Sequence, residues 1–226
     1  MKFLISIVVL DWIIRISLVA NLFTAILLFI RWKVLRPEYR WFSGILVCRF
    51  FTILVSELFY LNHINPNYGG SVYYIIVIIF FAGFFVHASA FSKKNKTILY
   101  GVAGAHMIFS LANLLFIQKE TINSYSSISL AIIIVTLCLV FYYKLLKDLP
   151  TQDLLTWPSF WLVTAEFIVI SGQVLMESFT HLLINIFNDN LIILWVFHHG
   201  LGHVGQIIAL YAVWLIYKNS KSMAFQ

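Results

Sequence analysis

Long apolar segments alternate with short polar breaks along the chain. Each apolar segment reaches the ~20 residues that a helix needs to cross a ~30 Å hydrocarbon core. The four prolines lie in the breaks or at a helix start, where they interrupt no helical hydrogen bond. The pattern predicts an all-α polytopic membrane protein with one seven-helix domain over residues 1–226. The predicted helices cover about residues 3–30, 41–62, 71–92, 97–117, 126–147, 158–187 and 190–217.

The composition agrees with a surface that faces lipid. Apolar residues make up 62% of the chain and charged residues 11%, against roughly 45–50% and about 25% in soluble domains. Because the apolar excess indicates a lipid-facing surface, the net charge of +6 does not indicate nucleic-acid binding. Cys48 and Cys138 lie in apolar runs, which indicates buried thiols and no disulfide framework.

The placement of lysine and arginine predicts the orientation. Eleven of them lie after helices one, three and five or in the C-terminal tail, and two (Lys2 and Lys119) lie on the other side. The positive-inside rule then places the N-terminus outside and the C-terminus in the cytoplasm. We therefore expect a multi-pass protein of the inner (cytoplasmic) membrane. The eleven are Arg31, Lys33, Arg36, Arg40, Lys93, Lys94, Lys96, Lys144, Lys147, Lys218 and Lys221.

Polar and ionisable side chains interrupt several of the apolar segments. A central charge costs about 2.5–3.5 kcal/mol on insertion scales, so such groups need a partner or a function. Arg15 and Arg49 are predicted to form structural ion pairs with intramembrane acids. Several of the other polar groups fall in the predicted outer half of the bilayer, which indicates a polar pocket that opens outward. The predicted pocket residues are Asp11, Glu57, Asn113, Gln173 and Gln206.

Helices six and seven each carry one polar stripe at helical spacing. The stripe on helix six contains Glu166, Gln173, Glu177 and His181, and the stripe on helix seven contains Trp195, His199, His203 and Gln206. The break between the two helices is short, so they should be antiparallel neighbours. The spacing does not decide whether the stripes face each other; if they do, Glu177 and His181 lie opposite the histidines. If the polar groups only satisfy one another, Gly200, Gly202 and Gly205 are expected to be close-packing residues.

The histidines of these two helices, together with His106 on helix four, allow three kinds of contact. In the first, the polar groups only hydrogen-bond to one another across helices. In the second, His199 and His203 chelate zinc at i,i+4 spacing, with Glu177 and His181 as further ligands. In the third, His106 and His203 hold a haem between two helices. A zinc site would activate a bound water and make a hydrolase feasible. No catalytic residue is identified.

The His199-x3-His203 pair resembles the helix-seven motif of the alkaline ceramidase, hemolysin III and progestin/adipoQ receptor superfamily. That resemblance implies seven helices and a zinc site. Those proteins also carry Ser-x3-His in helix two. Here Ser56 is followed four residues later by Tyr60, so the third ligand is not in the family's position.

A longer stretch resembles small uncharacterised seven-helix integral membrane proteins of Bacteroidota. The residues concerned are "LVSELFYLNH" in helix two and "PSFWLVTAEFIVISGQ" in helix six. Some of those proteins are encoded near signalling proteins such as histidine kinases. The resemblance implies a sensory or receptor-like role.

Two functions follow as hypotheses. The first is a non-catalytic sensor or receptor-like protein with an outward-facing His/Glu pocket, which signals through a membrane partner such as a histidine kinase. The alternative is a zinc-dependent intramembrane hydrolase of a lipid-like substrate, built on His199 and His203. Both functions have membrane lipids as partners, and neither involves nucleic acid. The sequence has no phosphate-binding loop.

Overall fold

The computed structural model describes six stretches of the chain. They are residues 2–65, 67–89, 91–118, 124–148, 153–187 and 191–223, with side chains at 12–65, 68–89, 91–118, 124–147, 153–176, 196 and 199–219. Within these stretches the chain is helical and has no strand. The long helices are α1 (Lys2–Ile30), α2 (Pro37–Leu61), α3 (Asn67–Ala88), α4 (Lys93–Ala112), α5 (Ser124–Asp148), α6 (Pro158–Phe187) and α7 (Leu191–Met223).

All seven long helices of the described chain are long and apolar enough to cross a membrane. The predicted all-α fold with seven spans is therefore confirmed, and it is the architecture of a multi-pass membrane protein. The direction in which the chain crosses, and the membrane it crosses, stay predictions from the placement of lysine and arginine.

Three helices begin four residues earlier than predicted. They start at Pro37, Asn67 and Lys93, where hydropathy is low because each first turn is polar. Such turns can lie outside the hydrocarbon region and still be helical. Pro37 suits the first turn because its fixed φ is helical and its missing N–H would have no partner there. At the start of α4, the Ser92 hydroxyl caps the helix by accepting the Asn95 N–H over 3.4 Å.

α4 ends in a wider turn than an α-helix has. Residues Asn113–Ile117 form a π-helical turn, and the N–H of Gln118 donates to the carbonyl of Asn113 over 2.8 Å. Such turns place one additional residue in a helix and are frequent at functional sites. This turn brings Asn113 to the start of the α4–α5 connection.

Backbone proximity divides the chain into two compact units. Unit 1 comprises residues 1–20 and 138–226, and unit 2 comprises residues 21–137. α1 and α5 contribute to both. Unit 2 contains α2, α3 and α4, and unit 1 contains α6 and α7.

In unit 2, α2 and α3 are joined by two aromatic rings that each lie against a glycine of the other helix. A side chain on Gly83 of α3 would overlap the indole of Trp41 on α2, and one on Gly44 of α2 would overlap the ring of Phe80 on α3. The two rings also meet each other, with centroids 6.0 Å apart. The start of α2 therefore lies beside the end of α3, as in an antiparallel pair.

In unit 1, small residues bring α6 and α7 together. A side chain on Gly205 would overlap Val169 and approach the carbonyl of Ala165, and one on Gly172 would meet Leu201. Glycine at such contacts lets two membrane helices approach closely. α6 and α7 are thus antiparallel neighbours, in agreement with the short break between them.

Candidate functional site

A buried histidine connects three helices of unit 2. His106 lies on α4 with 4% of its surface exposed. Its Nε2 lies 3.2 Å from the carbonyl oxygen of Tyr74 on α3 and 3.2 Å from the hydroxyl of Ser110, one turn along α4. Its Nδ1 lies 3.2 Å from the hydroxyl of Ser129 on α5. We call His106, Ser110, Ser129 and the Tyr74 carbonyl the His106 network.

The partners of His106 determine where its protons lie. A carbonyl oxygen can only accept, so the contact with Tyr74 assigns a proton to Nε2. In the neutral ring Nδ1 then accepts the Ser129 hydroxyl proton. In the imidazolium form Nδ1–H donates to the Ser129 oxygen, whose own proton turns to the Ser126 carbonyl 3.0 Å away. The network thus offers hydrogen bonds to both protonation states of the ring.

A second set of polar side chains continues from this network to the α4–α5 connection. The amide nitrogen of Asn113 donates to the Gln118 oxygen over 2.9 Å and to the Ser126 hydroxyl over 3.1 Å. The Gln118 amide in turn donates to the Ser124 hydroxyl over 3.1 Å. Both hydrogens of the Asn113 amide therefore hold protein groups together. Its predicted place in an outward-facing ligand pocket stays a prediction.

A groove lies between α2 and α3, with a cavity volume of about 290 Å³. The Thr52 hydroxyl contributes little polarity, because it donates to the Cys48 carbonyl of its own helix over 2.8 Å. Tyr73 brings a phenol to the lining. The groove is therefore suited to an apolar molecule. The apolar walls include Val47, Phe51, Val55, Val72 and Ile76.

Arg49 lies next to this groove at the middle of α2. It is half-buried, and its Nε donates to the Tyr73 hydroxyl over 3.4 Å. Glu57, a predicted pocket residue, is half-buried two turns later on the same helix. The ion pair predicted for Arg49 stays a prediction. Arg15 is exposed on α1, and its predicted partner Asp11 lies outside the described side chains.

Two residues of the polar stripe on α7, His203 and Gln206, form a chain of contacts that reaches α1. His203 Nδ1 lies 3.2 Å from the Gln206 side-chain oxygen, and the Gln206 amide donates to the Ser17 carbonyl of α1 over 3.3 Å. At about 100° per residue, His203 is about 200° around α7 from Gly205, which contacts α6. Gln206 therefore contacts α1, and His203 lies on the side of α7 away from the Gly205 contact with α6. The sequence had not decided whether the stripe faces α6.

Some of the other residues in the two stripes have side chains that the structure describes, and some do not. His199 is half-buried one turn before His203, and Gln173 is half-buried on α6. Glu177 and His181 lie outside the described side chains. Of the three glycines expected to pack closely, Gly205 does so. At Gly200 and Gly202 a Cβ would have no neighbour within 4 Å among the described residues, so close packing there stays a prediction.

The structure bears in different ways on the predicted zinc site and on the predicted haem site. Among the described residues, no group of three His, Cys, Asp or Glu side chains could hold a metal ion. The described side chains include those of His199 and His203 but not those of Glu177 and His181, so the zinc site stays a prediction. For haem, an axial histidine needs one ring nitrogen for iron. Both nitrogens of His106 lie within hydrogen-bonding distance of protein oxygens.

The sequence pointed to His106 and Asn113 but missed their partners. His106, Ser110 and Asn113 are spaced by four and three on α4 and form a stripe, which is the signal that could have identified Ser110. Ser129 has no comparable signal, because isolated serines are common in membrane helices.

Comparison of the chain with protein-family models, curated proteins and solved structures found no match.

Proposed function

We propose that the protein is a non-catalytic, receptor-like membrane sensor that binds a lipophilic ligand in the α2–α3 groove and signals through a partner. One observation supports this proposal above the others. Consecutive residues of α3 serve the groove and the His106 network, because Tyr73 lines the groove and the Tyr74 carbonyl accepts from His106. A ligand that moves α3 therefore acts directly on a hydrogen bond to α4.

The energetics suit a two-position switch. A ligand shifts such an equilibrium by its difference in affinity for the two positions of α3. Loss of the Tyr74 contact would leave the Ser110 hydroxyl as the acceptor of the Nε2–H, so the cost is that of one hydrogen bond, about 0.5–1.5 kcal/mol. That cost is large enough to separate two states and small enough for a ligand to offset. The Ser129 contact extends the response to α5.

The use of the histidine nitrogens supports a non-catalytic role. A general acid or base must reach the proton of a substrate with one ring nitrogen. His106 directs Nε2 to α3 and Nδ1 to α5, so both of its ring nitrogens contact protein groups. A partner such as a membrane histidine kinase would read the resulting helix positions.

Substitution of Val72 by tryptophan should close the groove. Val72 is 49% exposed on its wall, and an indole there would occupy the space of a ligand. The probe is a diazirine-bearing C16 fatty alcohol, crosslinked to the purified chain and mapped by peptide mass spectrometry. We expect crosslinks in residues 47–59 or 68–76 of the unsubstituted chain, and about tenfold fewer in Val72→Trp, a change of about 1.4 kcal/mol.

The matched control is Ile108→Trp, which adds the same ring at an α4 position that is 74% exposed. Groove crosslinking should persist in this variant. Equal crosslinking of the groove in both variants, or none in the unsubstituted chain, would contradict the proposed ligand site.

Substitution of His106 by alanine should abolish signalling. A deletion strain is complemented with the unsubstituted chain, with His106→Ala or with Ser110→Ala, and transcripts and lipids are measured. The unsubstituted chain and Ser110→Ala should restore the transcript pattern, because the contacts to Tyr74 and Ser129 persist. His106→Ala should not restore it, although a fluorescence thermal melt shows folded protein.

The same strains distinguish the sensor from the hydrolase. A sensor leaves lipid composition unchanged in all of them. Accumulation of one lipid species in the deletion strain, with hydrolysis of that lipid by zinc-loaded protein, would overturn the sensor and favour the hydrolase. His199→Ala/His203→Ala should then fail both to hydrolyse the lipid and to relieve its accumulation.

A further inference from the structure

One end of unit 2 is strongly basic. The contact of Gly83 with Trp41 places the start of α2 beside the end of α3, and α4 begins five residues after α3 ends. The connections at this end contain seven cations and one acid, Glu38. We call this surface the basic collar. Its cations are Arg31, Lys33, Arg36, Arg40, Lys93, Lys94 and Lys96.

Arg40 holds the α1–α2 connection in shape. Its Nε donates to the Leu35 carbonyl over 3.0 Å, and its Nη2 donates to the Lys33 carbonyl over 3.2 Å. The guanidinium lies 5.9 Å from the centre of the Trp32 ring. That ring stacks on Phe29, at the end of α1, with centroids 5.0 Å apart. The connection is thus an ordered structure in which Leu35 is buried and Trp32, Lys33, Val34 and Arg36 are exposed.

The side chains presented are of two kinds. Val34 is 74% exposed and Trp32 is 39% exposed, so the connection carries an apolar tip. Lys33 between them is exposed, as are Lys93 and Lys94 on the α3–α4 side. Tryptophan and long cationic side chains together are typical of the membrane interface, where the ring lies at headgroup level and the charge reaches phosphate.

We propose that the basic collar binds the phosphate groups of anionic phospholipids. The collar begins at the residue after α1 ends, at the depth where a spanning helix meets the headgroups. The exposed valine and indole favour this partner over an acidic protein segment, because they can enter the acyl boundary beside the phosphates. The proposed phosphate site does not depend on the ligand groove or on signalling.

The test compares two lipids and two variants of equal charge. Native mass spectrometry of the full detergent-purified chain measures binding of phosphatidylglycerol and of phosphatidylcholine. Lys33→Gln/Lys94→Gln removes two collar cations whose side chains are exposed. Lys147→Gln/Lys218→Gln removes two cations from unit 1. Each collar cation should contribute about fivefold to the affinity for the anionic lipid.

We therefore expect phosphatidylglycerol to bind the unsubstituted chain in preference to phosphatidylcholine. The collar variant should bind it about 25-fold more weakly. The control variant should differ less, because its two lysines lie outside the collar. An equal loss in both variants would show general charge attraction and overturn the site. Absence of a preference for the anionic lipid, with loss of a copurified acidic protein from the collar variant, would also overturn it and assign the collar to that protein.

Discussion

Substitution of Gly83 by leucine is expected to lower the free energy of unfolding by about 3 kcal/mol. Any side chain at this position overlaps the indole of Trp41, and overpacking of a filled contact commonly costs about 1–3 kcal/mol. Leucine lies at the upper end because Trp41 is itself packed against Phe80. Denaturant titration of the detergent-solubilised protein, followed by tryptophan fluorescence, measures the change.

Gly101 provides the control for this substitution. It lies on α4, where a Cβ would have no described neighbour within 4 Å, so Gly101→Leu should retain the original stability. The double variant Gly83→Leu/Trp41→Ala should lose less free energy of unfolding than the sum of the losses in the two single variants, because the second change removes the overlap. Equal stability of the two leucine variants would show that the α2–α3 contact is wrongly assigned.

Substitution of Gly205 by leucine should destabilise unit 1 by a similar amount, about 3 kcal/mol. The new side chain would overlap Val169 and lie against the carbonyl of Ala165. The backbone of α6 cannot yield as a flexible side chain can, so α6 and α7 would have to separate. The thermal midpoint and the denaturant midpoint should both fall.

Gly202, three residues earlier on the same helix, is the matched control. A Cβ at Gly202 would have no described neighbour within 4 Å, and leucine has a higher helix propensity than glycine. Gly202→Leu should therefore be neutral or slightly stabilising. A loss as large as that in Gly205→Leu would mean that α7 contacts α6 through a different face.

The seven spans could be predicted because hydropathy and length are properties of the local sequence. Lipid requires a helix wherever about 20 apolar residues occur together. Hydropathy predicted the first residues of three helices less well. Pro37, Asn67 and Lys93 begin helices whose first turns are polar, and their hydrogen bonds do not depend on hydropathy.

The site was predictable only in part. His106 and Asn113 were recognisable as polar groups within a span, since such groups need partners. The partner of His106 on α3 is a backbone carbonyl, and every residue has one. Its choice depends on which turn of α3 meets α4, which is set by packing across the unit.

The direction of the α7 stripe shows the same limit. The spacing of His203 and Gln206 places them on one side of the helix but does not specify the neighbour that they face. Gly205 decides this, because its contact with α6 leaves Gln206 to donate to the Ser17 carbonyl on α1, with His203 beside Gln206. The glycines of "HHGLGHVGQ" are alike in the sequence and differ only in what surrounds them.

The reciprocal rings of α2 and α3 also limit how these helices can move. Trp41 and Phe80 each occupy the space above a glycine of the other helix, so sliding by one turn would bring both rings against larger side chains. Translation of the two helices along their axes is thereby blocked. Near Tyr68, at the other end of the groove, a side chain on Gly69 of α3 would overlap the Ser56 hydroxyl of α2. The register of α2 against α3 is therefore fixed at both ends of the groove.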